Sequence, residues 1–254
     1  MIGHRGAAAS APENTLAGFR RAQALGCRWV EFDVRLTSDR GLVLVHDSRL
    51  DRTTDGHGRV AAAPLAVVRQ YDAGKWFDAS FAGEPVPTLD EALDLCLELG
   101  LGGNIEIKAE HGDGRTTASA VGAVLARRTM ANRPPLLISS FLPTALAAAR
   151  ALIPDFPRGL LLRRVPRCWQ ILASLTGAAA IHVDQRRLNP ALAGAIRAAG
   201  YPLLAYTVNE PELARRLFTW GVTSVFSDAP DIILAATATS GEPCAVAARQ
   251  GAMR

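Results

Sequence analysis

The chain has 254 residues, a formal net charge of +4 and a pI of about 9.2. Its basic excess is scattered, in pairs such as Arg127-Arg128, Arg163-Arg164 and Arg186-Arg187 and not in tracts, without the interleaved aromatics of a nucleic-acid surface, and no apolar run approaches the length of a membrane span. A chain of this size buries roughly 70–75% of its unfolded surface, so it needs no disulfides; Cys27, Cys96, Cys168 and Cys244 lie far apart and read as reduced thiols of a cytoplasmic protein without a signal peptide.

Strand-like apolar runs alternate with amphipathic stretches of helical period. Ile2–His4 is predicted as the first strand. It is a stub, so either the natural start lies several codons upstream or this strand is unusually short. Asn14 is expected to cap a helix over Thr15–Leu25 that ends at Gly26. Trp29–Leu36 is the second strand. Leu42–His46 is also strand-like, but only Thr37–Gly41 separates the two, and a parallel crossover needs about a dozen residues. An antiparallel hairpin is predicted instead, with Leu36 opposite Leu42 and His46 returned beside Phe32. Asp47–Pro87 lacks clear helical periodicity and contains the turn-rich Asp55-Gly56-His57-Gly58. A connection this long is usually functional, and it is read as an excursion over the mouth of the fold.

Thr88 and Glu91 have the spacing of a capping box for a helix over Leu89–Leu99, stopped by Gly100. Further strands are predicted at Asn104–Lys108, Leu136–Phe141, Gly159–Leu162, Ile181–Asp184, Leu203–Val208 and Ser224–Ser227. The helices between them are predicted at Ala118–Arg128, Thr144–Leu152, Cys168–Leu175, Pro190–Ala199, Pro211–Trp220 and Asp231–Ala238. Eight strands alternating with eight helices imply an α/β fold, a closed (β/α)8 TIM barrel. It is one domain over residues 1–238, with residues 47–87 inserted after the second barrel strand. Residues 239–254 are small and polar and are expected to form a disordered tail.

Active sites of such barrels sit at the C-terminal ends of the strands. In Trp29–Leu36 the period of two sends Val30, Phe32, Val34 and Leu36 towards the helices, and Glu31, Asp33 and Arg35 inward. In Asn104–Lys108 it sends Glu106 and Lys108 inward. Like charges two residues apart on one strand, about 7 Å or less, repel, and a divalent cation removes that conflict. Glu31, Asp33 and Glu106 are therefore candidate ligands for a hard cation, Mg2+ or Ca2+. Lys108 is a candidate phosphate partner or a structural partner of Glu106. Arg5 suits a phosphate clamp, with Glu13 as its holder. His4 and His46 converge on the acidic cluster and suit acid–base work. His57, His111 and His182 are read as structural or solvated. Phe141 and Tyr206 stand at strand ends, where they can pack on a carbon skeleton or on the core. Asp228 is expected to cap the last helix, and Asp184 has no single reading.

These motifs resemble the glycerophosphodiester phosphodiesterase family. The resemblance rests on His4-Arg5-Gly6 with Ala11-Pro12-Glu13-Asn14-Thr15, on Glu31-Phe32-Asp33-Val34, and on Val45-His46-Asp47 followed by Asp51-Arg52-Thr53-Thr54. Pro87-Thr88-Leu89, Glu106-Ile107-Lys108, Ser139-Ser140-Phe141, Tyr206-Thr207-Val208-Asn209 and Ser227-Asp228 follow in order. It implies a metal at Glu31, Asp33 and Glu106, an acid–base pair in His4 and His46, and phosphate binding by Arg5 and Lys108. Phe141 would line the glycerol side. Tyr206 stands where many members have Trp, which bears on leaving-group selectivity. The implied reaction is hydrolysis of a small soluble diester, such as glycerophosphocholine or glycerophosphoethanolamine, to glycerol 3-phosphate and a loosely read alcohol, with no nucleic-acid partner and no stable membrane association. The rivals are a lysophospholipid or sphingomyelin phosphodiesterase on the same barrel, which calls for a long apolar groove, and a non-catalytic barrel binding module, which calls for a lost metal or histidine position.

Overall fold

A computed structural model describes residues 1–109 and 114–238; the tail expected over 239–254, His111 and Cys244 lie outside them. Up to residue 98 the chain contains β1 (Ile2–Gly3), α1 (Leu16–Ala24), β2 (Trp29–Leu36), β3 (Leu42–Leu44), the short α2 (Leu65–Val68) and α3 (Leu89–Glu98). After these come β4 (Gly102–Ile107), α4 (Gly114–Ala126), β5 (Leu136–Ser140), α5 (Pro143–Leu152), β6 (Arg158–Leu162) and α6 (Trp169–Thr176). The chain continues through β7 (Ala180–Asp184), α7 (Pro190–Ala198), β8 (Leu203–Tyr206), α8 (Pro211–Thr219), β9 (Ser224–Ser227) and α9 (Pro230–Ala238). The strand order is β1-β9-β8-β7-β6-β5-β4-β2-β3, and β1 also pairs with β2. Two-residue β1 is parallel to both β2 and β9, so the eight parallel strands close into a TIM barrel.

β3 is not a barrel strand. It returns antiparallel along β2 with Leu36 opposite Leu42 and Val34 opposite Leu44, the register expected from the short Thr37–Gly41 link. The insertion after it is built around its own small core of Val43, Val45, Leu50, Val60, Val68, Ala73 and Val86. Its aromatics stack edge to face, Trp76 on Phe77 at 5.8 Å and Phe77 on Phe81 at 5.7 Å. None of the helices among the described residues is long and apolar enough to cross a membrane.

Strand alternation sorts side chains into two cores. Outside the barrel, Phe32, Ile105 and Ile138 meet helix residues such as Phe19, Leu93 and Leu146, all buried. Inside, Ile2, Ala180, Leu204 and Phe226 fill the lower barrel with Trp29 and Tyr206 against them. Two interior glycines give way to large rings. A Cβ at Gly102 would lie 2.4 Å from the Trp29 indole, and one at Gly159 would lie 2.5 Å from His182. His182 is thus a packing residue: fully buried, 5.2 Å from the Phe226 ring, and pushed down to about 3 by burial. His57 is solvated.

One cap differs from expectation. Thr15, not Asn14, is the N-cap of α1, accepting from the Gly18 N–H at 3.0 Å. Both residue types suit that position, and Asn14 has a partner elsewhere. The capping box of α3 forms as expected. The Glu91 N–H donates to Thr88 Oγ1 at 3.2 Å, and the Thr88 N–H donates to Glu91 Oε2 at 2.8 Å. Arg69 of the insertion forks onto the same glutamate, both bonds at 2.6 Å, so this helix start also anchors the insertion. Thr88→Ala should cost about 1 kcal/mol of stability, read as a lower denaturant midpoint at unchanged slope. An unshifted midpoint would mean that the cap contributes nothing.

Candidate active site

Three carboxylates meet at the C-terminal end of the barrel because β2 and β4 run parallel with Asp33 beside Glu106 and Glu31 beside Asn104. Glu31, Asp33 and Glu106 are all buried, and each offers a ligand oxygen within 4.8 Å of the others. Their partners differ. Asp33 is surrounded by favourable partners: Asn14 Nδ2 donates to it at 2.9 Å, and Lys108 Nζ at 3.1 Å and Arg5 Nε at 3.3 Å form ion pairs with it. Burial alone would raise its pKa, but the charges of Lys108 and Arg5 outweigh it and hold the carboxyl well below the usual range. Glu31 has less support. Its Oε2 accepts the Arg5 backbone N–H at 3.0 Å, while its buried Oε1 has no hydrogen-bond partner. Burial first, and the Asp33 charge second, push it up to about 8. Glu106 Oε1 forms an ion pair with Lys108 Nζ at 2.6 Å, yet burial still raises its pKa. An orphaned buried oxygen in a cluster of three carboxylates is the donor set of a hard divalent cation. The residues therefore fit the metal that the sequence implies.

Each candidate histidine has an aspartate behind it. His4 Nδ1 lies 2.6 Å from Asp228 Oδ1, and its Nε2 faces Glu31 at 3.8 Å. Asp228 is held in turn by Asn209, whose Nδ2 donates to it at 2.8 Å and whose Oδ1 accepts its backbone N–H at 2.9 Å. Asp228 thus orients His4, where the sequence had suggested a helix cap. Asp184 takes a different role, forming a two-bond pair with Arg186. His46 Nδ1 lies 2.7 Å from Asp47 Oδ1, and Arg35 donates twice to the His46 carbonyl, at 2.9 and 2.7 Å. Burial opposes charge on both rings. At His4 the Asp228 hydrogen bond and the Glu31 charge prevail, and the pKa is raised. At His46 the nearby Lys108 and Arg5 add to the burial, and the pKa is lowered.

A line of ion pairs joins the insertion to the barrel. Asp47 accepts Arg52 Nε at 2.7 Å, Arg52 grips Glu13 with two bonds of 2.8 Å, and Glu13 accepts Arg5 Nη1 at 2.8 Å. Glu13 therefore holds Arg5, as expected. Asn14 holds Asp33 from both sides, its Oδ1 also accepting the Asp33 N–H at 3.0 Å. Arg5 and Asn14 both have left-handed backbones, φ 52° and 57°. Asn tolerates that region better than most residues, whereas at Arg5 it is strain of the kind concentrated at functional sites.

Eight of the nine site residues picked out from the sequence line one cavity of about 650 Å³: His4, Arg5, Glu31, His46, Glu106, Lys108, Phe141 and Tyr206. The ninth, Asp33, sits directly behind Arg5 and Lys108. Phe141 and Tyr206 meet edge to face at 5.7 Å, with Lys108 Nζ 5.6 Å from the Phe141 centroid.

Residues 4–232 match the model of the glycerophosphoryl diester phosphodiesterase family. The chain belongs to that family. It is accordingly an enzyme, a phosphodiesterase. A glycerophosphodiester phosphodiesterase of Caldanaerobacter subterraneus is 32% identical over 235 residues, covering 92% of this chain and 96% of the relative. One of Bacillus subtilis is 31% identical over 253 residues, covering 91% and 84%. Among solved structures, an Oleispira antarctica phosphodiesterase in complex with the product sn-glycerol-3-phosphate is 40% identical, with a TM-score of 0.90 over 93% of this chain and 96% of that one.

Asn14, Asp47, Arg52 and Asp228 were not singled out as site residues from the sequence. All four lie inside the quoted family motifs, and their spacing was the available signal. Asp228 lies 224 residues from His4, and only barrel closure reveals the pairing.

The crowding at Glu31 has a measurable consequence. Its folded pKa, about 8, lies above its ordinary value of 4.5, so the folded state binds the extra proton between those values. In the metal-free protein the Glu31 contribution to stability should be fully present below about pH 4.5 and decline as pH rises to about 8. Glu31→Gln should flatten that decline in thermal melts made in chelator. Parallel pH profiles for the two proteins would contradict the assignment.

Proposed function

We propose that the protein is a metal-dependent hydrolase that cleaves soluble glycerophosphodiesters to glycerol 3-phosphate and an alcohol. The observation that carries this reading is the convergence of three buried carboxylates, two cationic side chains and two aspartate-backed histidines on one cavity. Support also comes from the product bound to the Oleispira antarctica relative, sn-glycerol-3-phosphate.

Glu31, Asp33 and Glu106 would hold Mg2+ or Ca2+. When bound, such a cation supplies charge neutralisation at the phosphate and lowers the barrier to attack. Arg5 and Lys108 bind the non-bridging phosphate oxygens, and their fixed positive charge meets the negative charge that grows in the transition state. The cluster around them holds both side chains in place before substrate arrives. His4 and His46 exchange protons with the nucleophile and the leaving oxygen. Their pKa values are pushed in opposite directions, which suits one donor and one acceptor working at the same pH. Phe141 packs on the glycerol carbons.

His4→Ala and His46→Ala should each lower kcat by about 10²–10⁴-fold while divalent-metal binding persists. A near-normal kcat in either variant removes that histidine from the mechanism. Chelated enzyme should be inactive and recover with Mg2+ or Ca2+. With glycerophosphodiesters as substrates, glycerol 3-phosphate and free alcohol should appear in equal amounts. Release of a phosphorylated alcohol would mean that the opposite ester bond is cut, and strong preference for lysophosphatidylcholine would favour a lipid phosphodiesterase.

A further inference from the structure

The reacting groups occupy the β1, β2 and β4 side of the cavity. The opposite wall, at the ends of β6 and β7, carries a different set: Leu161, Arg163, Asp184, Gln185 and Arg186. The mechanism above uses none of them, yet one cavity spans both sides. A diester with its phosphate at Arg5 and Lys108 would have room for an arm along this second wall.

The wall's charge is one-sided. Asp184 is its only acid, and both of its carboxylate oxygens are engaged: Oδ1 by Arg186 Nε at 3.0 Å and Oδ2 by Arg186 Nη2 at 2.8 Å. The Arg186 backbone N–H adds a third bond to Oδ1 at 3.0 Å. Arg163 is exposed and has no ion pair or hydrogen bond among the described residues. Its guanidinium is a free cation facing the ligand space. Tyr206 adds a hydroxyl without a hydrogen-bond partner.

A cationic alcohol such as choline would find little here. No carboxylate is free on this wall, and the unpaired Arg163 guanidinium repels it. The alternative for a quaternary ammonium is an aromatic face. Phe141 already faces the Lys108 ammonium at 5.6 Å, and its other close ring contact is Tyr206. An anionic arm, by contrast, meets the forked donors of Arg163, a geometry suited to carboxylate or phosphate. The glycerol half carries no charge, so this selection falls on the alcohol half.

We propose that Arg163, backed by Arg186, makes the enzyme prefer glycerophosphodiesters whose alcohol half bears a carboxylate or phosphate over those bearing an ammonium group. This rests on the phosphodiesterase reading above and narrows its substrate class. It also departs from the choline and ethanolamine diesters expected from the sequence, where the Arg163-Arg164 and Arg186-Arg187 pairs read only as part of a scattered basic excess.

The test compares kcat/KM of the metal-loaded enzyme for glycerophosphoglycolate, glycerophosphoglycerol and glycerophosphocholine, whose alcohol halves are anionic, neutral and cationic. Intrinsic leaving-group differences cancel when each anionic-to-cationic ratio is compared between wild type and variant. Arg163→Glu should lower that ratio by about tenfold or more at low ionic strength, and the change should shrink in high salt, as expected for an exposed charge. Arg186→Ala, which frees Asp184, should move the ratio the same way. Equal ratios in wild type and Arg163→Glu would overturn the proposal while leaving the phosphodiesterase reading intact. No hydrolysis of any of the three diesters would overturn both.

Discussion

The site depends on one constraint: three carboxylates share a buried space within 4.8 Å of one another. At that separation each pair of full charges repels by about 3 kcal/mol at an effective dielectric of about 20. The fold does not relax this by separating them, because parallel pairing of β2 and β4 sets Asp33 beside Glu106. It compensates with Lys108 and Arg5, which are committed chiefly to Asp33 and Glu106, and leaves Glu31 with an unpaired buried oxygen. Strain remains where a cation would relieve it. The same two basic groups then stand beside the place a phosphate would occupy, so a single arrangement serves ion binding and substrate charge.

Orientation is the second requirement, and it comes from far along the chain. His4 leaves the shortest strand of the barrel and is held by Asp228 just beyond the last. His46 leaves the hairpin and is held by Asp47, which Arg52 ties through Glu13 to Arg5. Arg52 is 45% exposed, and ion pairs that open to solvent contribute little to stability. Their effect is geometric: the insertion cannot shift without moving the His46 partner relative to Arg5. The insertion's own small core makes it a rigid body for that purpose.

Much of this was legible in the chain. The period-two pattern of Trp29–Leu36 separates core from site without ambiguity, and the shortness of Thr37–Gly41 forces the antiparallel return that carries His46 to the acids. Helix boundaries followed Gly and Pro closely. What stayed hidden was tertiary choice between equivalent local options. Asn14 and Thr15 can both cap a helix, and the decision fell to Thr15 because Asn14 pairs with Asp33 across the fold. Asp228 has the look of a cap, and only ring closure shows its histidine. The insertion has no strong period because its elements are single turns held by side-chain clustering.

The most direct test of the central claim is a calorimetric titration of Mn2+ into chelator-stripped protein. The account predicts one site per chain, with binding lost or greatly weakened in each of Glu31→Gln, Asp33→Asn and Glu106→Gln and retained in His46→Ala. Unaltered Mn2+ affinity in the three acid variants, or no saturable binding to the wild-type protein, would contradict it.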